Sequence, residues 1–267
     1  MSRVRGGDAL TLAVPSKGRI RDDAMALLQR AGIEVAANGD ARAYRAGAAN
    51  IEGLEVAFLS ASEIARELVR GRVDLGMTGL DLMWEAAGEV SPDVETGDRT
   101  AFGRAELRAR LGFGDADVVV ALPSVWFDVG SMTDLADLAA GFRAQHERRL
   151  SVATKYRRLT RHHLARHGVR PFRIVESLGA TEGAPHAGLA DLVVDITSTG
   201  STLRANGLKV PAGGLILRSE CCLFARAAAP ETLTRGYAAQ SPRSSATHDS
   251  LRHEIIGRIR EAAAQRD

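Results

Sequence analysis

Two cysteines in 267 residues leave no material for a disulfide framework. Cys221 and Cys222 are adjacent inside Leu215 to Ala225, a strand-like stretch in which neighbouring side chains point to opposite faces. Neither a disulfide nor a metal site is expected from them. No apolar run approaches the roughly 20 residues that a membrane-spanning helix needs. A secretory pattern is missing as well: Met1 to Asp8 carries two Arg and two Gly, and the apolar stretch Ala9 to Val14 stops at Pro15. A cytoplasmic chain with no membrane contact is expected. Nor is there an excess of one charge. Lys plus Arg number 35 against 33 Asp plus Glu, a formal +2, too near balance for a general nucleic-acid binder. The glycine fingerprint of dinucleotide folds and the Walker A pattern are both absent. With 45% hydrophobic residues, the chain can bury one large or two small cores, which excludes disorder as the default.

What is present is a repeated plan. Leu10 to Val14 reads as a strand, followed by Ser16, Lys17, Gly18 and Arg19, then a helix stopped at Gly32. Far downstream, Leu150 to Ala153 is followed by Thr154, Lys155, Tyr156 and Arg157, then a helix stopped at Gly168. The halves continue alike. The strand Val56 to Ser60 leads through a cap at Ser62 into a helix ended by Gly71, and the strand Val73 to Met77 returns. Its counterpart starts at Arg173 to Val175, loops through Gly179, Thr181 and Glu182 into a short helix ended near Gly188, and returns as Leu192 to Ile196. An aspartate precedes each return, Asp74 and Asp191.

Strand and helix alternating with short turns argue for an α/β protein with parallel pairing, and two copies argue for two similar lobes. Leu111 to Leu122 and Leu215 to Ala225 read as the two crossover strands between them. The boundaries expected are 1–115 for the first part of one lobe, 116–214 for the second, 215–239 for a return strand, and 240–267 for a linker and C-terminal helix. Ala86 to Arg110 reads as a loop with a short helix. The final helix, with Leu251, Ile255, Ile256 and Ile259 on one side, must cover its own lobe or a partner. Loops at the carboxyl ends of the paired strands are expected to face a cleft, where ligands of open α/β sheets bind.

One of those loops carries the most chemistry. The apolar strand ending at Val194 runs into Asp195, then Ile196, Thr197, Ser198, Thr199, Gly200, Ser201 and Thr202. A phosphate dianion needs several donors converging from one side, and a glycine-containing turn at a helix start supplies backbone N–H groups while Thr and Ser add hydroxyls. An acid at the strand end can accept from two vicinal ribose hydroxyls. Together these describe a ribose-phosphate site, although a Thr/Ser/Gly run can also be a plain polar loop.

Asp195 to Leu203, continuing to Asn206-Gly207-Leu208, resembles the phosphoribosyl-diphosphate loop of the ATP phosphoribosyltransferase family. Pro15-Ser16-Lys17-Gly18-Arg19, Asp74 to Asp81, Leu111-Gly112-Phe113-Gly114 and Glu176 to Glu182 resemble that family's other segments, in the family's order. The resemblance spans about Leu10 to Ala225. It implies transfer of the phosphoribosyl group to N1 of ATP with release of pyrophosphate, the first step of histidine biosynthesis. It further implies Mg²⁺, a two-lobed fold of mixed, mostly parallel sheets flanked by helices, like type II periplasmic binding proteins, and a cytoplasmic setting. Because little chain follows Ala225, the short form is implied, a homo-oligomer that also assembles with a subunit similar to histidyl-tRNA synthetase. A two-lobed small-molecule binding or sensor domain is the alternative.

Pyrophosphate departure needs cations beside the leaving group, which assigns Lys17 and Arg19 with Asp195 to catalysis; as plain structure they form a solvated turn. Asp195, Thr197, Ser198, Thr199, Gly200, Ser201 and Thr202 are assigned to phosphoribosyl diphosphate. ATP is assigned to Gly79, Asp81, Lys155, Tyr156 and Glu176. Gly79 reads equally as a turn necessity and Asp81 as a helix cap; Tyr156 either stacks on adenine or is a partly buried aromatic. Glu176 and Glu182 are the metal candidates, or orient a ribose hydroxyl. His162 and His163 read as a solvated helix face with no catalytic part.

Overall fold

The computed structural model describes residues 9–36, 45–88, 100–177, 179–227 and 242–265. Expectations for 1–8, for 89–99 within the Ala86 to Arg110 stretch, for Leu178 and for 228–241 lie outside the described residues. In chain order the elements are β1 (Leu10–Pro15), α1 (Arg19–Arg30), β2 (Arg45–Gly47), β3 (Leu54–Leu59), α2 (Ala61–Val69), β4 (Leu75–Gly79), α3 (Leu80–Ala87), β5 (Ala101–Phe102) and β6 (Ala105–Arg110). They continue as β7 (Ala116–Pro123), α4 (Met132–His146), β8 (Leu150–Thr154), α5 (Arg157–Arg166), β9 (Phe172–Glu176), a 3₁₀ turn (Thr181–Gly183), β10 (Leu192–Thr197), α6 (Ser201–Ala205), β11 (Leu208–Lys209), β12 (Leu215–Ser219), β13 (Cys221–Arg226) and α7 (Pro242–Ala264).

The chain divides into two compact units. One draws on Met1–Ala87, Arg99–Gly114 and Glu220–Asp267, and the other is centred on Asp115–Ser219. The first unit's sheet has the order β2-β3-β1-β4-β13-β6-β5. In it β1 lies parallel to both β3 and β4, and β13 returns antiparallel to β4. The second unit's sheet, read from its other edge, has the order β9-β8-β10-β7-β11, with β12 also paired to β7. Here β8 lies parallel to β9 and β10, and β7 runs antiparallel to β10. The central pattern is therefore the same twice: three parallel strands closed by one antiparallel strand.

Local chemistry sets several of these elements. Ser60, not Ser62, caps α2: its hydroxyl accepts the Glu63 N–H at 3.3 Å, and Glu63 returns the contact to the Ser60 N–H at 3.0 Å. This reciprocal box satisfies two donors that a helix start otherwise leaves orphaned. Gly76 lets α2 lie close on β4, since a Cβ there would sit 2.8 Å from Ile64 Cγ2. The first core joins Leu10, Leu12 and Val14 of β1 with Leu27 and Leu28 of α1 and with Ile255, Ile256 and Ile259 of α7. The C-terminal helix thus covers its own unit, each isoleucine contributing about 1.5–3 kcal/mol of burial.

Three further expectations are corrected. Ala101 to Arg110 is not helical but an antiparallel hairpin of β5 and β6, which extends the first sheet beside β13; alternating half-exposed residues on an edge strand mimic a weak helical stripe. Leu215 to Ala225 is two strands divided at Glu220, whose carboxylate meets Arg110 at 2.8 Å and the Gly112 N–H at 3.2 Å. The linker expected over Gln240 to Thr247 is largely helix, because α7 already begins at Pro242, a residue tolerated in a helix's first turn.

Candidate functional site

β10 places the polar turn. Its first residues Leu192, Val193 and Val194 are fully buried, and exposure begins at Asp195. The chain then closes on itself before α6. Thr197 Oγ1 accepts the Gly200 N–H at 2.8 Å, and Gly200 takes φ +69°, the left-handed region that favours glycine. The Thr199 hydroxyl donates to Ser201 Oγ at 2.8 Å, and the Ser201 N–H points to Thr199 Oγ1 at 3.3 Å. Arg204 reaches back to the Thr199 carbonyl at 3.0 Å. Ser198, Thr199, Ser201 and Thr202 remain exposed. The turn is thus held by its own hydroxyls, with Thr197 as the internal brace and the others at the surface.

Asp195 is half-buried, and its Oδ1 accepts the neighbouring Ile196 N–H at 2.8 Å. Burial raises its pKa; the Ile196 amide and the Lys155 ammonium pull it down, and the Glu182 carboxyl raises it by charge and by a hydrogen bond to it. The net direction is upward. Two carboxyls in hydrogen-bond contact share a proton more readily than they share two negative charges. The sheet explains why these groups meet: β8 and β10 are parallel neighbours, so Lys155, just past β8, faces the same end as Asp195. Glu182 belongs to the 3₁₀ turn that leads back into β10. Its pairing with Asp195 has no sequence signal beyond two acids on loops of one sheet end.

Thr181, beside Glu182, is buried and fixes the preceding loop: its hydroxyl donates to the Gly179 carbonyl at 2.8 Å and pairs with the Ser177 hydroxyl at 3.1 Å. Glu176 ends β9, opposite Thr154 of β8, and is exposed. Tyr156 is only 1% exposed, the buried one of the two outcomes that the sequence left open. Its ring instead carries Lys155, whose Nζ lies 4.9 Å from the ring centroid, a cation–π contact that orients the ammonium. His163 corrects the reading of a solvated pair: it is 1% exposed, and its Nε2 donates to the Gly213 carbonyl at 2.9 Å. Burial pushes its pKa down to about 4, with the His167 charge adding to the effect.

In the first unit, Lys17, Gly18 and Arg19 are exposed in the turn between β1 and α1. Gly18 has φ +80°. Gly79 closes β4 opposite Cys221. Asp81, in the first turn of α3, is 4% exposed. Its charge, after burial, adds to raising both thiols, Cys222 to about 12. Both cysteines are free and buried, so neither is a nucleophile at neutral pH.

Among the described residues no group of three or more His, Cys, Asp or Glu is placed to hold a metal ion. The Asp195 and Glu182 carboxyls suit Mg²⁺ of another kind, one that keeps waters and arrives on substrate phosphates while binding one or two carboxylates. No helix among the described residues is long and apolar enough to cross a membrane.

Known proteins resemble this chain in sequence and in fold. The family model for ATP phosphoribosyltransferase matches residues 60–241. The ATP phosphoribosyltransferase of Chelativorans sp. (strain BNC1) is 58% identical over 215 residues, covering 80% of this chain and 89% of that protein. That of Agrobacterium fabrum is 56% identical over 223 residues, covering 83% and 92%. Among solved structures, a chain of the ATP phosphoribosyl transferase (HisG:HisZ) complex from Thermotoga maritima superposes with a TM-score of 0.66 at 21% identity, covering 96% of this chain and 100% of that one. At that identity the likeness is one of fold.

Proposed function

The chain belongs to the ATP phosphoribosyltransferase family, and on that premise we propose that the turn from Asp195 to Thr202 holds the phosphoribosyl donor during the reaction. It transfers the 5-phosphoribosyl group from phosphoribosyl diphosphate to ATP, the first step of histidine biosynthesis. The lone pair of adenine N1 forms a bond to C1 of the ribose as the bond from C1 to the diphosphate oxygen breaks. Pyrophosphate leaves with that electron pair. Because N1 is already a nucleophile, no side-chain base is assigned to it.

The observation that carries the donor assignment is the closed, hydroxyl-rich turn directly past β10, with Asp195 at its entry and Lys155 and Glu182 beside it. Gly200, Ser201 and Thr202 start α6, so their backbone and side-chain donors serve the 5-phosphate, with Ser198 and Thr199 adding hydroxyls. Thr197 keeps the turn closed. Asp195, ionised, accepts from the 2- and 3-hydroxyls of the ribose. Lys17 and Arg19 are assigned to the pyrophosphate, where they stabilise negative charge as it develops. Glu182 and Asp195, with Glu176 as a further candidate, would hold Mg²⁺, which would supply positive charge to offset that of the departing diphosphate. ATP is assigned to Lys155, Glu176 and the end of β4 at Gly79. Tyr156 and Asp81, nearly without exposed surface, support these contacts rather than make them.

The enzyme works in the cytoplasm, self-associates, and combines with a regulatory subunit similar to histidyl-tRNA synthetase. The test is formation of phosphoribosyl-ATP by the purified chain, alone and with such a subunit. Titration of donor, ATP and an amino acid in parallel separates this reading from a binding or sensor domain, which would take the amino acid and neither substrate.

A further inference from the structure

Thr154 ends β8 and is fully buried, one residue before the lysine that faces Asp195. Three bonds hold it there. It pairs with Glu176 across the parallel ladder of β8 and β9, and its carbonyl accepts the N–H of Ser177, the residue just past β9, at 3.2 Å. Its hydroxyl accepts the Tyr156 N–H at 2.8 Å. The first two contacts use the backbone and would survive any side chain. The third needs an oxygen. A valine would fill the same space and suit a buried strand end equally well, so what the hydroxyl adds over a methyl group is an acceptor for Tyr156.

That acceptor matters because Lys155 depends on Tyr156. A lysine ammonium sits on a long flexible stem and has no fixed place of its own. Here it rests over the Tyr156 ring, 4.9 Å from the centroid, and the ring itself is 1% exposed. Loss of the acceptor would leave the Tyr156 N–H unpaired in a buried place, a strain that the chain relieves by turning the peptide. The ring and the ammonium above it turn as well. Having no exposed surface, Thr154 touches neither substrate. We infer that Thr154 is a positioning residue for the transfer reaction: its hydroxyl fixes Tyr156, and the Tyr156 ring holds the Lys155 ammonium beside Asp195. The inference rests on the substrate assignments proposed above and adds to them the residue that sets one of their cations in place.

The chain has three lysines, Lys17, Lys155 and Lys209, so ¹³C-lysine labelling of the full chain gives a simple spectrum of ε-methylene signals. Protons above an aromatic face are shielded, and the Lys155 signal, identified by its absence in K155M, should lie upfield of the other two. T154V and T154A, both without the acceptor, should return it toward the ordinary position, while T154S and Y156F should leave it shifted. In phosphoribosyl-ATP formation T154V should lower kcat/KM about tenfold or more. T154S should restore the rate, and T154V/K155M should be no slower than K155M, since the threonine acts through the lysine. Circular dichroism checks that each variant is folded. A Lys155 signal that is unshifted in the unaltered chain, that ignores loss of the acceptor, or that T154S abolishes overturns the inference. A double variant whose losses multiply overturns it too. The signal is read without substrates, so a chain that makes no phosphoribosyl-ATP refutes the catalytic reading alone, and the lysine signal still decides the positioning.

Discussion

Asp191 Oδ2 accepts the backbone N–H of Ser151 at 2.7 Å, tying the residue before β10 to the second residue of β8. The first unit repeats the contact: Asp74 Oδ2 accepts the Thr11 N–H at 3.0 Å, tying the residue before β4 to the second residue of β1. Each carboxylate also holds an arginine, Arg148 at 2.6 Å and Arg226 at 3.0 Å. The two aspartates therefore pin the central parallel pair of each sheet, away from the carboxyl ends where chemistry is placed. Asp191→Asn should cost about 1–3 kcal/mol in urea unfolding, with donor affinity retained at temperatures where the chain stays folded. Burial raises the Asp191 pKa, but Arg148 and Ser151 outweigh it and hold the net value below the ordinary range. The sign follows: its stabilisation is complete above the unfolded carboxyl value of about 4 and is lost as pH falls through the lowered folded value. An Asp191→Asn chain as stable as the unaltered one at pH 7 would refute the pin.

A second expectation concerns Asp195. Its raised pKa means that protonation on acidification begins above the ordinary carboxyl range. If the ionised carboxyl receives ribose hydroxyls, affinity for phosphoribosyl diphosphate declines with it. Glu182→Gln removes the neighbouring charge and should shift that decline to lower pH. The donor's own phosphates titrate equally against both proteins, so the difference between the curves isolates the protein group. Asp195→Ala should weaken donor binding far more than ATP binding, both read by calorimetry. Equal losses would make Asp195 structural.

The duplication was legible because turn chemistry is local. Ser16-Lys17-Gly18-Arg19 and Thr154-Lys155-Tyr156-Arg157 follow matching strands, and the aspartates precede matching returns. The closing of the turn after β10 could likewise be read from its residues, since hydroxyls and one glycine after a buried strand favour a tight turn. What could not be read depends on distance along the chain. Lys155 lies beside Asp195 only because β8 and β10 are neighbours, and Glu182 only because its 3₁₀ turn packs on β10. The burial of Tyr156 and His163 depends on which face of α5 meets β12 and its preceding loop. The division of Leu215 to Ala225 at Glu220 arises from contacts with Arg110 and Gly112, more than a hundred residues earlier.

The closed turn gives a third expectation. Gly200 has φ +69°, and a Cβ there would lie 2.9 Å from Arg204 Nη1. The arginine tip can move, so the main penalty of Gly200→Ala is the left-handed backbone, roughly 1–2 kcal/mol. Moving Arg204 also gives up its bond to the Thr199 carbonyl. Donor affinity should fall roughly fivefold or more, with ATP affinity unchanged. Thr197→Val removes the acceptor of the Gly200 N–H and should act in the same direction, whereas Thr197→Ser should be mild. Thr199→Val with Thr202→Val should also weaken the donor, by removing two hydroxyls. Unchanged affinity in all of these would place the phosphate elsewhere.

His163 gives the last expectation, one of stability. Its pKa, about 4 when folded against 6.5 unfolded, makes the unfolded chain bind more protons between those values. Stability therefore rises with pH across that window: the contribution of neutral His163 is fully present above about 6.5 and is lost as pH falls toward 4. The shift corresponds to roughly 3 kcal/mol. Because Gly213 accepts, Nε2 must carry the imidazole proton, and a second proton at Nδ1 would put a charge beside His167, whose ring lies 4.6 Å away, and near Arg166 and His162. His163→Gln retains a donor for the Gly213 carbonyl but does not titrate. Urea midpoints measured between about pH 7.5 and 4.5 should decline more steeply for the unaltered chain than for this variant. Parallel curves would mean that His163 opens to solvent before it protonates, and the packing of α5 against the loop before β12 would then be looser than the 2.9 Å contact implies.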